Sequence, residues 1–301
     1  MALQSEKLGY GAEEKLLIVN ADDFGMCRAA NAAVEKLLLA GDISSATVMM
    51  PCPWAKQAAA FSKNNPQLDI GVHLTFTSEW EGYRWGPVSG RDTASSLLDE
   101  EKYFPRDCQT FEKQADAEEV RREIYAQIEY AIALGVQPTH LDIHMGSLYG
   151  LATGRDFLET VTEACVHYGL PLRLPCRMIE DPSFPEALLP MATARIQLAE
   201  ERGIRMIDDL VSLPYPMEEG DTYEKVRQQM VDLLRDIRPG LTEIIIHPAF
   251  VTDELEAFNP HAAKRGMEAE LFQDPLIQQT IQEAGIRMIS WRDLMDSQRS
   301  S

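Results

Sequence analysis

The sequence predicts an α/β fold, a distorted parallel (β/α) barrel of the TIM type with seven or eight strands. Short apolar runs alternate with longer amphipathic stretches along nearly the whole chain, and glycines stand where several of these stretches end. Histidines and aspartates also gather at the ends of the apolar runs, where barrel enzymes carry their working groups. An open doubly wound sheet is the alternative. No GxGxxG follows any predicted strand, so the pattern does not support a dinucleotide-binding fold.

The first part of the chain contains three predicted strands, each a run of aliphatic and β-branched residues. The run KLLIVN at 15–20 is typical of a buried strand, and the stretch after it has helical periodicity up to Gly41, a favoured C-terminal capping residue. We predict strands at 15–20, 44–50 and 69–76, and helices at 28–40 and 54–63.

The segment 78–114 interrupts the alternation and is too long and too polar for an ordinary connection between a strand and a helix. It carries the aromatic residues Trp80, Tyr83, Trp85, Tyr103 and Phe104. Two interpretations are open: a substrate-binding lid, or a loop that packs its own aromatic side chains on the barrel rim. We treat residues 1–301 as a single domain in which this segment is an insertion.

The alternation resumes after the insertion. An amphipathic stretch ends at Gly135, and Gly169, Gly203 and Gly285 each stand between a predicted helix and the strand that follows it. We predict strands at 139–144, 171–174, 204–207, 243–247 and 286–290, and helices at 116–134, 155–168, 191–201, 223–237 and 267–284.

The charge and composition exclude several classes of partner. The formal net charge is −20, from 48 acidic and 28 basic residues, so the surface repels phosphate backbones and we expect no nucleic-acid partner. We see no apolar stretch of the roughly 18 residues that a membrane helix needs and no secretory signal. The five cysteines are scattered without a CxxC pair, which is typical of reduced thiols. We therefore expect a cytoplasmic protein without a membrane partner.

Chemistry-bearing side chains lie at or near the ends of the predicted strands. The first strand runs into Asn20, Asp22 and Asp23, the third carries His73, and the seventh ends at His247. The fourth contains His140, Asp142 and His144, and the sixth is followed by Asp208 and Asp209. Because the carboxyl ends of barrel strands meet at one rim, we expect a functional site there.

The run His140-Leu-Asp-Ile-His144 alternates polar and apolar residues and follows Pro138, which favours a strand over a helix. His140, Asp142 and His144 then share one face. At about 3.3 Å per residue the two histidines stand roughly 13 Å apart, too far to bind one metal ion together. His144, nearer the strand end, is the better candidate ligand, with Asp142 or His140 as supporting groups below it. A lone buried histidine is more often a hydrogen-bonded core residue, but three polar side chains on one inward face weaken that interpretation.

Asp22 and Asp23 form a second unusual feature, since two adjacent carboxylates at a strand end repel each other unless a cation neutralises them. The alternative is that Asp23 or a neighbour caps the helix that follows. Two histidines and an aspartate suit a catalytic zinc or another late transition metal. A second carboxylate can take a proton from water, and His247 is available to protonate a leaving group. Every group needed for metal-assisted amide hydrolysis is present.

Five motifs spread in order along the chain resemble the YdjC-like carbohydrate deacetylases, the group that includes chitooligosaccharide deacetylase of the ChbG type. The combination of NADDFG, GVHLT and THLDxH is far more specific than any one of them. The motifs are LLIVNADDFG at 16–25, SSATVMM at 44–50, DIGVHLTFTSE at 69–79, PTHLDIHMG at 138–146 and IIIHPAF at 244–250.

The resemblance implies a distorted barrel of the glycoside hydrolase/deacetylase type and a role in carbohydrate metabolism. The implied reaction removes acetyl groups from N-acetylated amino sugars or oligosaccharides, with a divalent ion, Mg²⁺ or Zn²⁺, as cofactor. The matching positions imply Asp23, His73 and His144 as metal ligands, Asp22 as general base and His247 as general acid.

The resemblance also implies that Arg173 lies near the substrate, and we count Asp142 as a second candidate substrate contact. Members of the family often continue with further histidines after the metal histidine, whereas this chain reads Met145-Gly146-Ser147-Leu148. We therefore expect a different surface beside the site. Two alternatives stay open: a metal-dependent hydrolase of a non-sugar amide or ester, and a non-catalytic carbohydrate-binding protein. A homodimer is compatible with the sequence, although no motif requires one.

Overall fold

The computed structural model describes residues 3–300, in which the apolar runs form seven parallel strands and the amphipathic stretches form the helices around them. The strands are β1 Lys15–Phe24, β2 Ser45–Val48, β3 Ile70–Leu74, β4 Leu141–Ile143, β5 Asp209–Ser212, β6 Gly240–Ile246 and β7 Ile286–Met288. The helices are α1 Gln4–Lys7, α2 Arg28–Ala40, α3 Ala55–Asn64, α4 Cys108–Gln114, α5 Ala117–Ala133, α6 Leu158–Tyr168, α7 Leu189–Glu201, α8 Tyr223–Arg235, α9 Asp253–Glu256, α10 Ala262–Leu271, α11 Pro275–Glu283 and α12 Trp291–Arg299. Within residues 3–300 we find no helix with the length and apolar character needed to cross a membrane.

The strands pair in the order β4-β3-β2-β1-β6-β5, and β7 pairs with the first residues of β1. This arrangement confirms the α/β class, the parallel sheet and the count of seven strands. β4 and β5 are not paired, so the sheet is a half-barrel, which is consistent with the expected distorted barrel but is not a full TIM barrel.

The gap in the sheet lies where two predicted strands did not form. Residues 171–174 and 204–207 make only single bridges, Leu141 with Leu172 and Pro175 with Ile207. Pro171 and Pro175 bracket the first of these runs, and proline has no backbone N–H to donate to a ladder. The run therefore supports only isolated pairings, and the barrel stays open at this side.

Strand alternation divides the core into two clusters. Leu17 and Val19 of β1 pack with the helices in the larger cluster, whereas Leu16 and Ile18 face the barrel interior with Trp291. The interior cluster is completed by Ile207, Leu241, Ile289 and Leu294, with Leu8, Tyr10 and Leu210 packed against it. This interior cluster fills the half-barrel around Leu16 and Ile18. Asn20 and Asp22 follow on the same inward face of β1, nearer its carboxyl end.

The ends of several helices are determined by capping residues that can be recognised in the sequence. Gly41 has φ 74°, and its N–H donates to Leu37 and Leu38 carbonyls at the end of α2, as predicted. The residue that caps the start of α2 is Cys27, whose Sγ accepts from the Ala30 N–H, so Asp23 is not the cap. The helix predicted at 267–284 is two helices, because Asp274 caps a new helix that begins at Pro275.

Candidate active site

Two adjacent aspartates reach the same cavity because β1 is bulged at this point. Ala21 pairs with Ala46 and Phe24 with Val48, so three steps along β1 match two along β2. Asp22 continues the inward face of the strand, and Asp23, with φ 65°, would otherwise point to the helix side. The bulge turns both carboxylates inward.

The carboxyl ends of the strands bring the predicted site residues together around a cavity of about 200 Å³. β1 supplies the two aspartates, β3 supplies His73, the turn after β4 supplies His144, and the segment after β6 supplies His247. The cavity is lined by Asp22, Asp23, His73, Glu79, Trp80, His144, Met145, Tyr215, His247 and Arg265.

Asp23, His73 and His144 present three ligand atoms to one point. His144 Nδ1 lies 3.2 Å from His73 Nε2 and 3.4 Å from Asp23 Oδ1, and His73 Nε2 lies 3.6 Å from the same oxygen. All three side chains are buried, and the ligand atoms lie within 4.8 Å of one another. A group of this composition can hold a divalent cation and leave a position open.

The hydrogen bonds around Asp23 support a cation at this point. Its Oδ2 accepts from Arg265 at 2.6 Å, whereas Oδ1 is buried and has no hydrogen-bond partner among residues 3–300. Buried polar atoms are normally satisfied, so an unpartnered carboxylate oxygen beside two imidazole nitrogens fits a group of cation ligands. Burial alone would raise the pKa of Asp23, but Arg265 and His144 outweigh burial and hold the pKa well below its ordinary value.

A second group with metal-ligand character consists of Asp22, His73 and Asp142. Its oxygens are already occupied: the Arg173 guanidinium donates to Asp22 Oδ2 at 2.8 Å and to Oδ1 at 2.7 Å. Asp142 Oδ1 accepts from His73 Nδ1 at 2.6 Å. The group with Asp23 and His144 therefore fits a cation better.

Asp142 lies beneath His73 and fixes its orientation. Because His73 Nδ1 donates to this carboxylate, its Nε2 is left as the nitrogen that faces Asp23 and His144. Thr47 donates a further hydrogen bond to Asp142 Oδ2 at 2.8 Å. The ring of His73 is thus held from below by β4 and β2.

Arg173 is the centre of a buried ion network. Its guanidinium pairs with Asp22 at 2.7 Å, Asp142 at 2.7 Å and Glu243 at 2.8 Å, and only 2% of the residue is exposed. Burial by itself would raise the pKa of Asp22, but Arg173 and His73 outweigh it and lower that pKa. Burial raises the pKa of Glu243 to about 7 in spite of Arg173. Arg173 and Asp142, predicted as substrate contacts, lie beneath the site and are not among the residues that line the cavity.

His247 lines the cavity directly after β6, the strand that pairs with β1. Its backbone N–H donates to Glu268 at 2.6 Å, its Nδ1 lies 3.9 Å from the same carboxylate, and its side chain is 24% exposed. The ring centre is 5.1 Å from that of Tyr215, edge to face. An imidazole in this position can exchange protons with a molecule in the cavity.

The structure keeps three of the other strand-end residues away from the cavity. His140 stacks on Trp291 with ring centres 4.6 Å apart, and burial lowers its pKa well below the ordinary value. Asp208 accepts from the Gln4 and Leu241 N–H groups, and Asp209 pairs with Arg177. The expectation that both aspartates lie at the rim is wrong, because β5 begins at Asp209 and places them at the amino end of the strand.

Sequence reasoning named Trp80 only as an aromatic residue of the insertion, and it did not single out Glu79, Tyr215 or Arg265, which also line the cavity. Trp80 and Glu79 lie directly after the GVHLTFTS motif, and their position next to β3 was an available signal. Tyr215 and Arg265 come from segments far along the chain, and Arg265 reaches Asp23 from α10. No local pattern marks either of these two.

The insertion 78–114 packs its aromatic side chains on the rim. Tyr83 stacks on Phe258 with ring centres 4.3 Å apart, and its hydroxyl donates to the Met26 carbonyl at 2.7 Å. Trp85 donates through Nε1 to the Thr77 carbonyl at 2.7 Å. Trp80 packs against Trp85 and also lines the cavity. The insertion therefore combines the packing role with a contribution to the cavity wall.

Two curated proteins and one solved structure are similar to this chain over most of its length. The chain is 28% identical to a carbohydrate deacetylase of Thermoanaerobacter pseudethanolicus, over 92% of this chain and 98% of the relative. It is 30% identical to a chitooligosaccharide deacetylase of Yersinia enterocolitica, over 93% of this chain and 99% of the relative. A crystal structure of a putative cellobiose-phosphate cleavage protein from Enterococcus faecalis superposes with a TM-score of 0.73 at 26% identity, over 93% of this chain and 99% of that one.

A family model described as YdjC-like protein matches residues 16–283, which include every residue that lines the cavity. The match covers most of the strands and helices of the half-barrel. The chain belongs to the YdjC-like protein family.

Proposed function

We propose that the chain is a metal-dependent carbohydrate N-deacetylase, a hydrolase that removes acetyl groups from N-acetylated amino sugars or oligosaccharides. The observation that carries the proposal is the buried, unpartnered Asp23 Oδ1, which faces the nitrogens of His73 and His144. Relatives that match more than nine-tenths of the chain are named carbohydrate deacetylase or chitooligosaccharide deacetylase, which supports a sugar as substrate. We take residues 1–301 as one catalytic domain.

Asp23, His73 and His144 are the proposed ligands of a divalent ion. Two imidazoles and one carboxylate suit Zn²⁺ or another late transition ion, while the family resemblance implies Mg²⁺. When bound, such an ion polarises the acetyl carbonyl and lowers the pKa of a water in its open position. Arg265 keeps the second oxygen of Asp23 occupied, so this carboxylate offers one oxygen to the ion.

Asp22 is the proposed general base. Arg173 holds its carboxylate from below through two hydrogen bonds, and its side chain lines the cavity beside His73. A carboxylate fixed in this way can take a proton from the attacking water without rotating. Arg173 and Asp142 then act as positioning residues, Arg173 on Asp22 and Asp142 on His73.

His247 is the proposed general acid. It lines the same cavity as Asp22 and delivers a proton to the sugar nitrogen as the C–N bond breaks, which releases acetate and a free amine. Glu268 holds the backbone of His247 through a 2.6 Å hydrogen bond. Trp80 and Tyr215 offer aromatic surface that can pack against a sugar ring.

The experiment is an acetate-release assay on protein stripped with a chelator and then supplied with Zn²⁺ or Mg²⁺. Substrates are N-acetylglucosamine, its short oligomers, N-acetyl amino acids and simple acetyl esters. We expect acetate and an equal amount of primary amine from the amino sugars, only after metal is restored, and none from a His144→Ala variant. Acetate from the amino acids or esters alone would favour the non-sugar hydrolase. Sugar binding without acetate from any substrate would favour the non-catalytic alternative.

A further inference from the structure

We propose that Glu79 is a positioning residue of this site, which accepts a hydrogen bond from His144 Nε2 and thereby turns Nδ1 of that ring towards Asp23 and His73. The inference rests on the proposed function, because it concerns how one of the proposed ligands is oriented. Glu79 Oε2 lies 3.2 Å from His144 Nε2. Glu79 would thus orient His144, as Asp142 orients His73.

The contacts of the two imidazole rings determine which nitrogen each offers. His73 Nε2 and His144 Nδ1 face each other at 3.2 Å, and His73 already uses Nδ1 to donate to Asp142. For both facing nitrogens to offer lone pairs to a cation, the single proton of His144 must sit on Nε2. Glu79 is the acceptor at that nitrogen. Each histidine therefore has its own carboxylate on the nitrogen that points away from the cluster, and metal-ligating histidines commonly donate their other N–H to a carboxylate in this way.

The backbone on both sides of Glu79 is fixed. Ser78 is fully buried; its N–H donates to the Pro105 carbonyl at 2.8 Å, and its Oγ accepts from the Trp85 N–H at 3.0 Å. Trp80 is 8% exposed and packs between Trp85 and Phe258 with ring centres 5.4 and 5.0 Å away. These contacts hold the backbone of Glu79 in place beside His144.

The geometry separates this role from that of a direct ligand. Glu79 contacts Nε2 of His144, whereas Asp23 and His73 contact Nδ1, on the other side of the same ring. Glu79 also differs from Asp142, which is fully buried and additionally paired with Arg173. The Glu79 side chain is 21% exposed and faces the cavity. Its replacement should therefore leave the fold intact.

The test measures Zn²⁺ affinity of the metal-free protein by calorimetry, without any substrate. We expect Glu79→Ala to weaken binding by about 10- to 100-fold, the usual effect of removing an outer-shell partner of a metal ligand. Glu79→Gln keeps an acceptor oxygen and should stay within about threefold of the wild type. The matched control is Glu81→Ala, since Glu81 is exposed in the same loop and should leave the affinity unchanged. A visible spectrum of the Co²⁺ form should change in Glu79→Ala and not in Glu79→Gln.

Two results would overturn the inference. If Glu79→Ala binds Zn²⁺ as tightly as the wild type, Glu79 does not orient His144. If Glu79→Gln loses as much affinity as Glu79→Ala, the charge of Glu79 and not the hydrogen bond that orients His144 determines the affinity, and the positioning role is wrong. A wild-type protein that binds neither Zn²⁺ nor Co²⁺ would instead overturn the proposed function, so the two failures are distinguishable.

Discussion

At the scale of single residues, the site divides into side chains that face the cavity and side chains that hold them. Asp22 and His247 face the cavity, and Arg173, Asp142 and Glu268 lie behind them. The supporting residues are buried and charged, so each must be paired, and their partners are the groups that we propose for catalysis. We therefore expect variants of the residues that face the cavity to lose activity, and variants of the buried supporting residues to change stability as well.

Asp22→Asn should abolish turnover and preserve the metal. Asparagine has nearly the shape of aspartate but cannot take a proton from water, so we expect acetate release to fall by about 10²- to 10⁴-fold. Zn²⁺ affinity should change little, because Asp23, His73 and His144 are untouched. Calorimetry and the acetate assay on one preparation check both parts. A variant with full activity would remove Asp22 from the mechanism.

Glu243→Gln should change the pH dependence of stability. Burial raises the pKa of Glu243 to about 7, above its ordinary value of 4.5. Between these two pH values the folded chain binds more protons at this position than the unfolded chain, so Glu243 makes stability fall as pH rises. Glutamine does not titrate, so the unfolding free energy of the variant does not fall with pH for this reason. We expect its free energy of unfolding, relative to the wild type, to rise by roughly 1–3 kcal/mol between pH 5 and 8.

The measurement for Glu243→Gln is urea unfolding of both proteins at several pH values across that range. The comparison with the wild type cancels the contributions of the other titrating groups. A difference in free energy that stays constant from pH 5 to 8 would mean that Glu243 does not titrate there.

At the scale of elements, the site depends on the register of short strands. His73 on β3 pairs with Asp142 on β4, and this register puts the histidine directly above its carboxylate. The two strands have only five and three residues, so few backbone contacts hold them in place. Small side chains between them are therefore important for the site.

Gly71→Ala tests this dependence on close packing. A Cβ at Gly71 would lie 2.5 Å from the His140 ring and 2.7 Å from the His140 carbonyl oxygen, so β3 and β4 would have to separate. Overpacking of this kind costs about 1–3 kcal/mol. We expect the free energy of unfolding to fall by that amount and Zn²⁺ affinity to weaken, because His73 lies two residues away.

The matched control for Gly71→Ala is Gly82→Ala in the insertion, where an added Cβ meets no atom of the described part of the chain within 4 Å. Its stability and Zn²⁺ affinity should equal those of the wild type. Equal unfolding free energies for Gly71→Ala and Gly82→Ala would show that β3 and β4 adapt without cost.

At the scale of the whole molecule, the proposed ion links parts of the chain that are far apart in sequence. Asp23 lies on β1, His73 on β3 and His144 after β4, while Arg265 reaches Asp23 from α10. The half-barrel is open between β4 and β5, so the cluster lies close to the end of the sheet that lacks a neighbouring strand. An ion there should stabilise the native state as a whole.

Removal of the ion should lower the melting temperature. With free Zn²⁺ at about 1,000 times its dissociation constant, the bound ion contributes about 4 kcal/mol. We expect a chelator to lower the melting temperature of the wild type by several degrees and to leave His144→Ala unchanged. Scanning calorimetry with and without chelator checks this. A shift of equal size in His144→Ala would place the stabilising ion elsewhere.

Local sequence patterns by themselves determined the alternating elements, the helix end at Gly41 and the strand character of the run from His140 to His144. These features depend on contacts within a few residues, so periodicity and capping residues report them. The ends of the strands also identified Asp22, Asp23, His73, His144 and His247 as residues that meet at one cavity.

Tertiary structure decided what depends on distant contacts. The bulge of β1 against β2 turns both Asp22 and Asp23 inward, which strict strand alternation would forbid. Arg265 reaches Asp23 across 242 residues of sequence, and the barrel stays open because two runs, the first bracketed by Pro171 and Pro175, form only single bridges. No local pattern contains this information, because each of these features is the result of packing one segment against another that the chain reaches only when it is folded.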